Sequence, residues 1–370
     1  MIQNKLNAIE KPLLMGPGPS CVSKSVYKAL SKPTLGHLDP RFISLMDDIT
    51  MFLRELMQTQ NILTIPVSGT GSAGMEACFV NLIEPGDKVL ILTNGVFGSR
   101  MEDIAKRLRG SVHNIDFKWG TPVIIETVRE HLLKNSYDII AVVHAETSTG
   151  VCNPVKEIGS LAKENNALYL VDCVTSLGGI EVKMDEWNID ALYSGTQKCL
   201  SCPPGLSPVS FSDKAVEKIS SRKMKVPNWY LDLSMLTQYW SGNKRVYHHT
   251  APINMLYGLY QACFDILDEG LEMVIRRHSD MHKLLLSQLE LIGLELFVDE
   301  NCRLPMLNVL QIPSNINDVE IRKRLLEEFS IEIGGGLGHL AGKVWRIGLM
   351  GETAKEESIQ RLMDAFKKIL

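Results

Sequence analysis

Residues 168–208 read LYLVDCVTSLGGIEVKMDEWNIDALYSGTQKCLSCPPGLSP, and two short apolar runs in this segment each end in polar residues. The first run, 168–171, stops at Asp172, and the second, 191–194, leads to Lys198 just before a Pro-Pro-Gly break. A buried parallel strand normally carries Val, Ile and Leu without charge. Because ligands of open α/β sheets bind at the carboxyl ends of the strands, the acid and the lysine predict a site at that edge.

A lysine and a carboxylate in this setting match the needs of pyridoxal phosphate (PLP) chemistry. The lysine amine forms a Schiff base with the cofactor's aldehyde, and the carboxylate keeps the pyridine nitrogen protonated, so that the ring withdraws electrons. Taken singly, Lys198 could be a solvated loop residue and Asp172 an ordinary helix cap. As a pair, they are the candidate catalytic residues.

The composition is that of a large globular protein. The chain has 370 residues, 45% hydrophobic and 22% charged, a length that predicts about two domains. A net charge of −4 without a basic run argues against nucleic acid as a partner. No apolar run approaches the roughly 18 residues of a membrane span, and no signal peptide is evident, so we expect no membrane partner.

The eight cysteines are scattered through the chain, which predicts reduced thiols and a cytoplasmic protein. Cys199 and Cys202 form a CxxC, but no second pair completes a zinc site, and the prolines that follow favour a loop. His248 and His249 are adjacent, so on a helix they would diverge by about 100°. We therefore expect no metal.

Residues 68–74, SGTGSAG, follow a strand-like run and satisfy a GxGxxG pattern. A dinucleotide fold needs an acid about 20 residues on, at the end of the next strand, but here strand 88–93 is followed by Asn94. Alternatively, backbone N–H groups at the positive end of a helix hold one phosphate, and the hydroxyls of Thr70 and Ser72 add hydrogen bonds. The phosphate site is the favoured interpretation.

Polar loops also follow the next two strands of the predicted sheet. The first, 94–99, holds Phe97 between glycines, where it could be a core residue or a plate that stacks on a flat cofactor. A helix is predicted at 100–108. The second loop, 144–150, reads HAETSTG. Because strands and helices alternate over 61–212, we predict an α/β fold with a mostly parallel sheet covered by helices.

The rest of the chain predicts two further parts, so that the expected division is an amino-terminal arm at 1–20, a large domain at 21–255 and a small α+β domain at 256–370. The arm ends in MGPGPS, which excludes regular helix and strand. The small domain follows a long predicted helix at 254–278. It contains Arg346, embedded in the apolar run KVWRIGLM, which could clamp a carboxylate or face solvent on an edge strand.

Nine motifs, in order, resemble the class V, fold-type I aminotransferases and, within them, the alanine–glyoxylate / serine–pyruvate aminotransferase family. The resemblance covers essentially the whole chain. Its motifs are MGPGPS, SGTGSAGMEA, TNGVFGSR, HAETSTG, VDCVTSLGG, YSGTQKCLSCPPG, YHHTAP, GGGLG and KVWRIGLMG.

This resemblance implies a role for each matching residue. Lys198 would be the Schiff-base lysine, Asp172 the partner of the pyridine nitrogen and Arg346, with Gly18, the binder of the substrate carboxylate. The other cofactor-binding residues would be Thr70, Gly71, Ser72 and Gln197 at the phosphate, Phe97 on the ring, Ser148 beside it, and Tyr247 and Thr250 from a neighbouring subunit. Animal family members tend to have His in place of Ser72, and residues 35–40 look more like bacterial relatives.

The expected activity is a ping-pong transamination with PLP, in which the amino group of alanine or serine passes to glyoxylate or pyruvate. The expected assembly is a homodimer with shared active sites. One alternative is another fold-type I activity such as cysteine desulfuration, which needs a nucleophilic cysteine near Arg346; the nearest upstream cysteine is Cys302. A more distant alternative is a nucleotide-dependent oxidoreductase.

Overall fold

The computed structural model describes residues 4–240 and 245–370, apart from the side chain of Asn7. The strands are β1 Leu13–Leu14, β2 Leu63–Ser68, β3 Lys88–Thr93, β4 Ser111–Asp116, β5 Ile139–Val143, β6 Ala145–Glu146, β7 Val151–Cys152, β8 Leu168–Asp172, β9 Ala191–Tyr193, β10 Leu206–Phe211, β11 Leu307–Gln311, β12 Ile331–Glu332, β13 Gly334–Gly335 and β14 Val344–Gly348. The α-helices are α1 Lys24–Leu30, α2 Pro40–Met57, α3 Gly71–Leu82, α4 Val96–Arg107, α5 Ile125–Leu132, α6 Val155–Glu164, α7 Asp213–Ser220, α8 Leu233–Trp240, α9 Ile253–Glu269, α10 Leu271–Leu291, α11 Asp318–Phe329 and α12 Glu356–Ile369.

The largest sheet has the strand order β2-β10-β9-β8-β5-β3-β4. Its strands run parallel except for β10, which is antiparallel to both neighbours. Every residue of β5 and β8 is buried, which explains why both strands read as apolar runs without alternation. Helices α3, α4, α6 and α7 pack against this sheet. The predicted α/β fold with a mostly parallel sheet is confirmed.

Strand register brings the polar strand ends together. Val143 of β5 lies opposite Asp172 of β8, and Asp172 lies opposite Tyr193 of β9. Parallel strands end at one edge of the sheet, so the loops after β2, β3, β5, β8 and β9 meet there. This is the edge at which the sequence predicts the site.

Two predicted helix boundaries are wrong. The single helix predicted at 254–278 is two helices, separated by Gly270, whose φ of 90° ends the first one. The helix predicted at 100–108 instead begins at Val96, so Phe97 lies in its first turn rather than in a loop.

The two largest hydrophobic clusters of the described residues lie in different parts of the chain. The larger core extends from Phe42 to Val274 and includes the buried face of α9, whereas the smaller one surrounds β14 and the carboxyl-terminal half of α10. The predicted boundary at residue 255 therefore falls inside α9, which packs on the large domain, and we propose a boundary at Gly270 instead. The amino-terminal arm precedes the large domain in sequence but packs on the small domain, because β1 pairs in parallel with β12.

All eight cysteines are free thiols. Cys199 donates a hydrogen bond to the Thr175 carbonyl, Cys202 packs beside Val26, and burial raises the pKa of both thiols to about 12. Among residues 4–240 and 245–370, no helix combines the length and apolarity that crossing a membrane requires. The same residues contain no group of three or more His, Cys, Asp or Glu side chains placed to hold a metal ion.

Candidate active site

A cavity of about 140 Å³ opens at the carboxyl edge of the sheet. Seven of the residues that the sequence predicts for the site line it together: Thr70, Gly71, Ser72, Phe97, Asp172, Gln197 and Lys198. Strands β8 and β9, helices α3 and α4 and the loop after β9 therefore contribute to one site. Gly18, Ser148, Tyr247, Thr250 and Arg346 do not line this cavity.

Asp172 ends β8 at the floor of the cavity and is only 3% exposed. The backbone N–H of Val174 donates to its Oδ1 (2.8 Å), and the Tyr193 hydroxyl donates to its Oδ2 (2.7 Å). Burial raises the pKa of Asp172 to about 6, against the lowering effect of these bonds and of the Lys198 charge. The two donors orient a carboxylate that accepts further hydrogen bonds readily.

Lys198 approaches the cavity from the loop after β9. Its Nζ donates to the Pro17 carbonyl of the amino-terminal arm. Burial, and next the nearby charge of Arg346, lower its pKa to about 8. Gly18 lies against the same side chain, since a Cβ on Gly18 would fall 2.6 Å from Nζ. A lowered pKa makes the neutral, nucleophilic amine more available near neutral pH.

The glycine-rich segment forms the amino-terminal end of α3. Thr70 is the N-cap residue but makes no side-chain capping bond, and Gly71 and Ser72 open the helix, where N–H groups lack intrahelical partners. Gly74 is required for packing, since a Cβ there would fall 2.0 Å from the Ser207 hydroxyl. The arrangement suits an anion at the helix end.

Helix α4 forms another wall of the cavity. Phe97 lines the cavity, and the exposed Arg100 guanidinium lies 4.9 Å from the centre of its ring. Ser148, predicted beside the cofactor, is fully buried and contacts the start of α4. Its hydroxyl accepts from the Val96 N–H (2.9 Å) and donates to Glu146 Oε1 (2.5 Å).

Arg346 in β14 is 7% exposed, so the alternative of a solvent-facing edge residue is wrong. Its Nε donates to the Gly335 carbonyl (2.7 Å) and its Nη1 to the Thr147 carbonyl (3.3 Å). Burial lowers its pKa to about 10, and the charge of Glu146 raises it. Guanidinium has five N–H groups, so these two anchors fix the side chain and leave donors for a carboxylate.

Tyr247 and Thr250 lie outside the cavity of their own chain. Both are exposed, and their hydroxyls are 3.4 Å apart. The neighbouring His249 lies at the carboxyl edge of the sheet, because its Nε2 is hydrogen-bonded to the Ser68 hydroxyl at the end of β2 (2.9 Å).

Sequence reasoning missed several residues of the site. Tyr193 orients Asp172, Pro17 offers its carbonyl to Lys198, and Glu146 accepts hydrogen bonds from α4. The tyrosine sits in the run ALYSG, and pairing that run with β8 in register would have found it. The contacts of the other two depend on the tertiary fold and leave no local signal.

The residues present fit PLP. An amine for the aldehyde, a carboxylate for the ring nitrogen and a helix end for the phosphate surround one cavity. Gln197 adds to this fit, because its amide NH₂ can donate to a phosphate, while its side-chain oxygen is buried and has no hydrogen-bond partner within the described residues. Such an orphaned acceptor is costly unless a ligand or water satisfies it.

Comparison with known proteins gives the same class as the fold and site. Residues 23–362 match the family Aminotransferase class-V. The chain is 38% identical to the (S)-ureidoglycine–glyoxylate transaminase of Bacillus subtilis (96% of this chain, 90% of that protein) and 40% identical to the alanine–glyoxylate aminotransferase of Rattus norvegicus (98% and 88%). It superposes on the crystal structure of alanine–glyoxylate aminotransferase from Nostoc sp. with a TM-score of 0.95, at 46% identity and full coverage of both chains.

The chain therefore belongs to the class-V, fold-type I aminotransferases, and PLP is its cofactor. The resemblance inferred from the nine motifs is confirmed.

Proposed function

We propose that the protein transfers the amino group of alanine or serine to glyoxylate or pyruvate in two half-reactions. The observation that carries this proposal is the convergence of Lys198 and Asp172 on one cavity, with the buried Arg346 close enough for its charge to lower the pKa of Lys198. Glyoxylate is the acceptor named for the relatives from Bacillus and Rattus.

Each residue then has a defined task. Bound PLP supplies an electron-withdrawing ring that stabilises negative charge at the substrate α-carbon. Asp172 would hold the ring nitrogen protonated, and Phe97 would pack on the ring face. The end of α3, with Thr70, Gly71 and Ser72, and the amide of Gln197 bind the phosphate.

Arg346 orients the substrate by its carboxylate, and Gly18 leaves the space in which the Lys198 amine moves. Nζ of Lys198 would then take the proton from the substrate α-carbon. A pKa of about 8 suits a general base at neutral pH. Ser148 acts indirectly, through Val96 and Glu146 of the wall behind Phe97.

The two alternative activities find no support in the site. Cysteine desulfuration needs a reactive thiolate, but Cys302 is buried, donates to the Asp299 carbonyl, and has its pKa raised by burial. A dinucleotide site needs an acid after β3, where instead the Asn94 amide donates to Thr121 and Asn153.

The proposed substrates are tested by single half-reactions without an acceptor. Alanine, serine, glycine and aspartate are each added to the PLP-loaded enzyme, and the loss of the visible PLP band is followed. We expect alanine or serine to react fastest and to release one equivalent of keto acid per site. Aspartate carries a second carboxylate. Besides the reactive Lys198, the cations that line the described cavity are limited to the exposed Arg100, so aspartate should react at least about tenfold more slowly. Fastest reaction with aspartate would contradict the proposed donor class.

We also propose a homodimer in which Tyr247 and Thr250 reach the phosphate of the partner subunit. In support, both residues are exposed and neither lines the cavity of its own chain. They adjoin an exposed aromatic patch of Trp229 (60% exposed) and Tyr230 (39%). Exposed aromatics are typical of interfaces, and Tyr230 contacts the Ser68 carbonyl next to the phosphate loop (3.4 Å). A two-fold axis beside this patch would exchange the two segments.

Mixing two inactive variants tests this sharing. A Lys198→Ala chain is combined with a Tyr247→Phe/Thr250→Ala chain, and subunit exchange is verified by mass. If the sites are shared, each heterodimer has one site with both lesions and one with neither, so up to about half of its sites should regain activity. If exchange occurs without recovery, the two residues serve their own chain.

A cytoplasmic location is the remaining proposal. It is supported by the eight unpaired cysteines, since an oxidising compartment favours disulfides.

A further inference from the structure

Glu146 is a buried acid to which the proposed function gives no direct part. Its side chain has no exposed surface, and within residues 4–240 and 245–370 it forms no ion pair. Burial raises its pKa to about 7. A buried carboxyl group without an ion-pair partner costs stability, so its contacts should show what it does.

The first set of contacts fixes the wall that carries Phe97. Oε2 of Glu146 accepts from the N–H groups of Phe97 (3.2 Å) and Gly98 (3.3 Å), and the Val96 N–H reaches Oε1 through the Ser148 hydroxyl. The first three N–H groups of α4 are thus hydrogen-bonded to this carboxylate, two directly and one through Ser148. Its negative charge also complements the positive end of the helix dipole.

Gly95 leaves the space in which the Glu146 carboxylate caps the amino-terminal end of α4. As the N-cap residue of α4 it has no side chain to bind the helix end, and a Cβ at this position would fall 2.4 Å from Cγ and Cδ of Glu146. Its φ of 177° is extended backbone that any residue adopts, so the glycine is needed for space and not for backbone freedom.

The second set of contacts leads to Arg346. Thr147, the next residue, lines the cavity and offers its carbonyl to Arg346 Nη1 (3.3 Å). The charge of Glu146 also favours the charged form of Arg346, whose pKa burial lowers. One side chain thus supports both the ring-facing wall and the guanidinium that faces the substrate.

We propose that Glu146 is a positioning residue. It fixes the start of α4, which carries Phe97, and the Arg346 guanidinium in their relative positions, so that the cofactor ring and the substrate carboxylate are bound at matched positions. This inference rests on the proposed roles of Phe97 and Arg346. Glu146 touches neither cofactor nor substrate in this scheme and acts only through its neighbours.

The test compares Glu146→Gln with a matched control, Asp190→Asn. Asp190 is also a hydrogen-bonded carboxylate, accepting from the Tyr169 N–H and the Ser212 hydroxyl, but it lies at the amino end of β9, away from the cavity. In Glu146→Gln an amide NH₂ replaces one accepting oxygen. The affinity of the apoprotein for PLP should therefore fall about tenfold, and the KM for both substrates should rise about tenfold. Both variants should lose thermal stability, but Asp190→Asn should keep both constants.

A second variant covers the case in which Glu146→Gln does not fold. Gly95→Ala keeps the carboxylate but pushes it from the helix end, and should weaken PLP binding in the same direction. In an Arg346→Ala background, Glu146→Gln should raise KM no further, while its effect on PLP affinity persists.

Unchanged PLP affinity and KM in both folded single variants would overturn the proposal, since Glu146 would then serve stability alone. Failure of the proposed function looks different, because the wild type and Asp190→Asn would also lack transaminase activity.

Discussion

Replacing Lys198 by alanine is expected to abolish amino transfer, with kcat lowered by a factor on the order of 10⁴ or more. Among the described residues, Lys198 is the only lysine that lines the cavity, so no second amine can hold the cofactor or take the α-proton. The turnover number with alanine and glyoxylate measures the loss.

Lys198→Arg is the matched control for this variant. It keeps a positive charge beside the Pro17 carbonyl but has no primary amine, so it should be as inactive as the alanine variant. Activity of Lys198→Ala within tenfold of wild type would refute the assignment. Unchanged melting of the two apoproteins would show that the loss is chemical and not a failure to fold.

Removing the carboxylate of Asp172 is expected to have the second largest effect, a loss of kcat on the order of 10³-fold. In the proposed role, the Asp172 charge would stabilise the protonated ring nitrogen more strongly as negative charge develops on the substrate, so kcat should fall more than the affinity for PLP. Asp172→Asn is the better variant than Asp172→Ala, because its amide oxygen can still accept the Val174 N–H.

Tyr193→Phe is the control for the carboxylate itself. It removes the hydroxyl that donates to Oδ2 and leaves the charge in place, so it should cost only about tenfold or less. If Asp172→Asn stays within tenfold of wild type, the carboxylate is structural and the ring nitrogen needs no such partner.

Much of this site can be predicted from sequence because its parts follow strands directly. An apolar run that ends in Asp172, and another that leads to Lys198, place both residues at one sheet edge once the fold is known to be α/β. The glycine-rich start of α3 is predictable for the same reason, since the phosphate site proposed there depends on local backbone geometry.

The parts that escaped prediction depend on long-range register. Tyr193 contacts Asp172 because β9 is the neighbour of β8 in the sheet. The spacing of residues in the sequence does not reveal the strand order. The helix break at Gly270 was missed because the apolar pattern continues across it. Glu146 gave no signal, because a single acid in a polar loop is indistinguishable from a solvated one until its burial is seen.

The most direct test of the central claim is to find where PLP is attached. The PLP-loaded enzyme is reduced with borohydride, digested and mapped by mass spectrometry, with and without prior addition of alanine. We expect one pyridoxyl group per chain, on the peptide that contains Lys198, and loss of this label after alanine, because the amine is then free. Labelling of another lysine, or labelling of Lys198 that alanine does not reduce, would contradict the account.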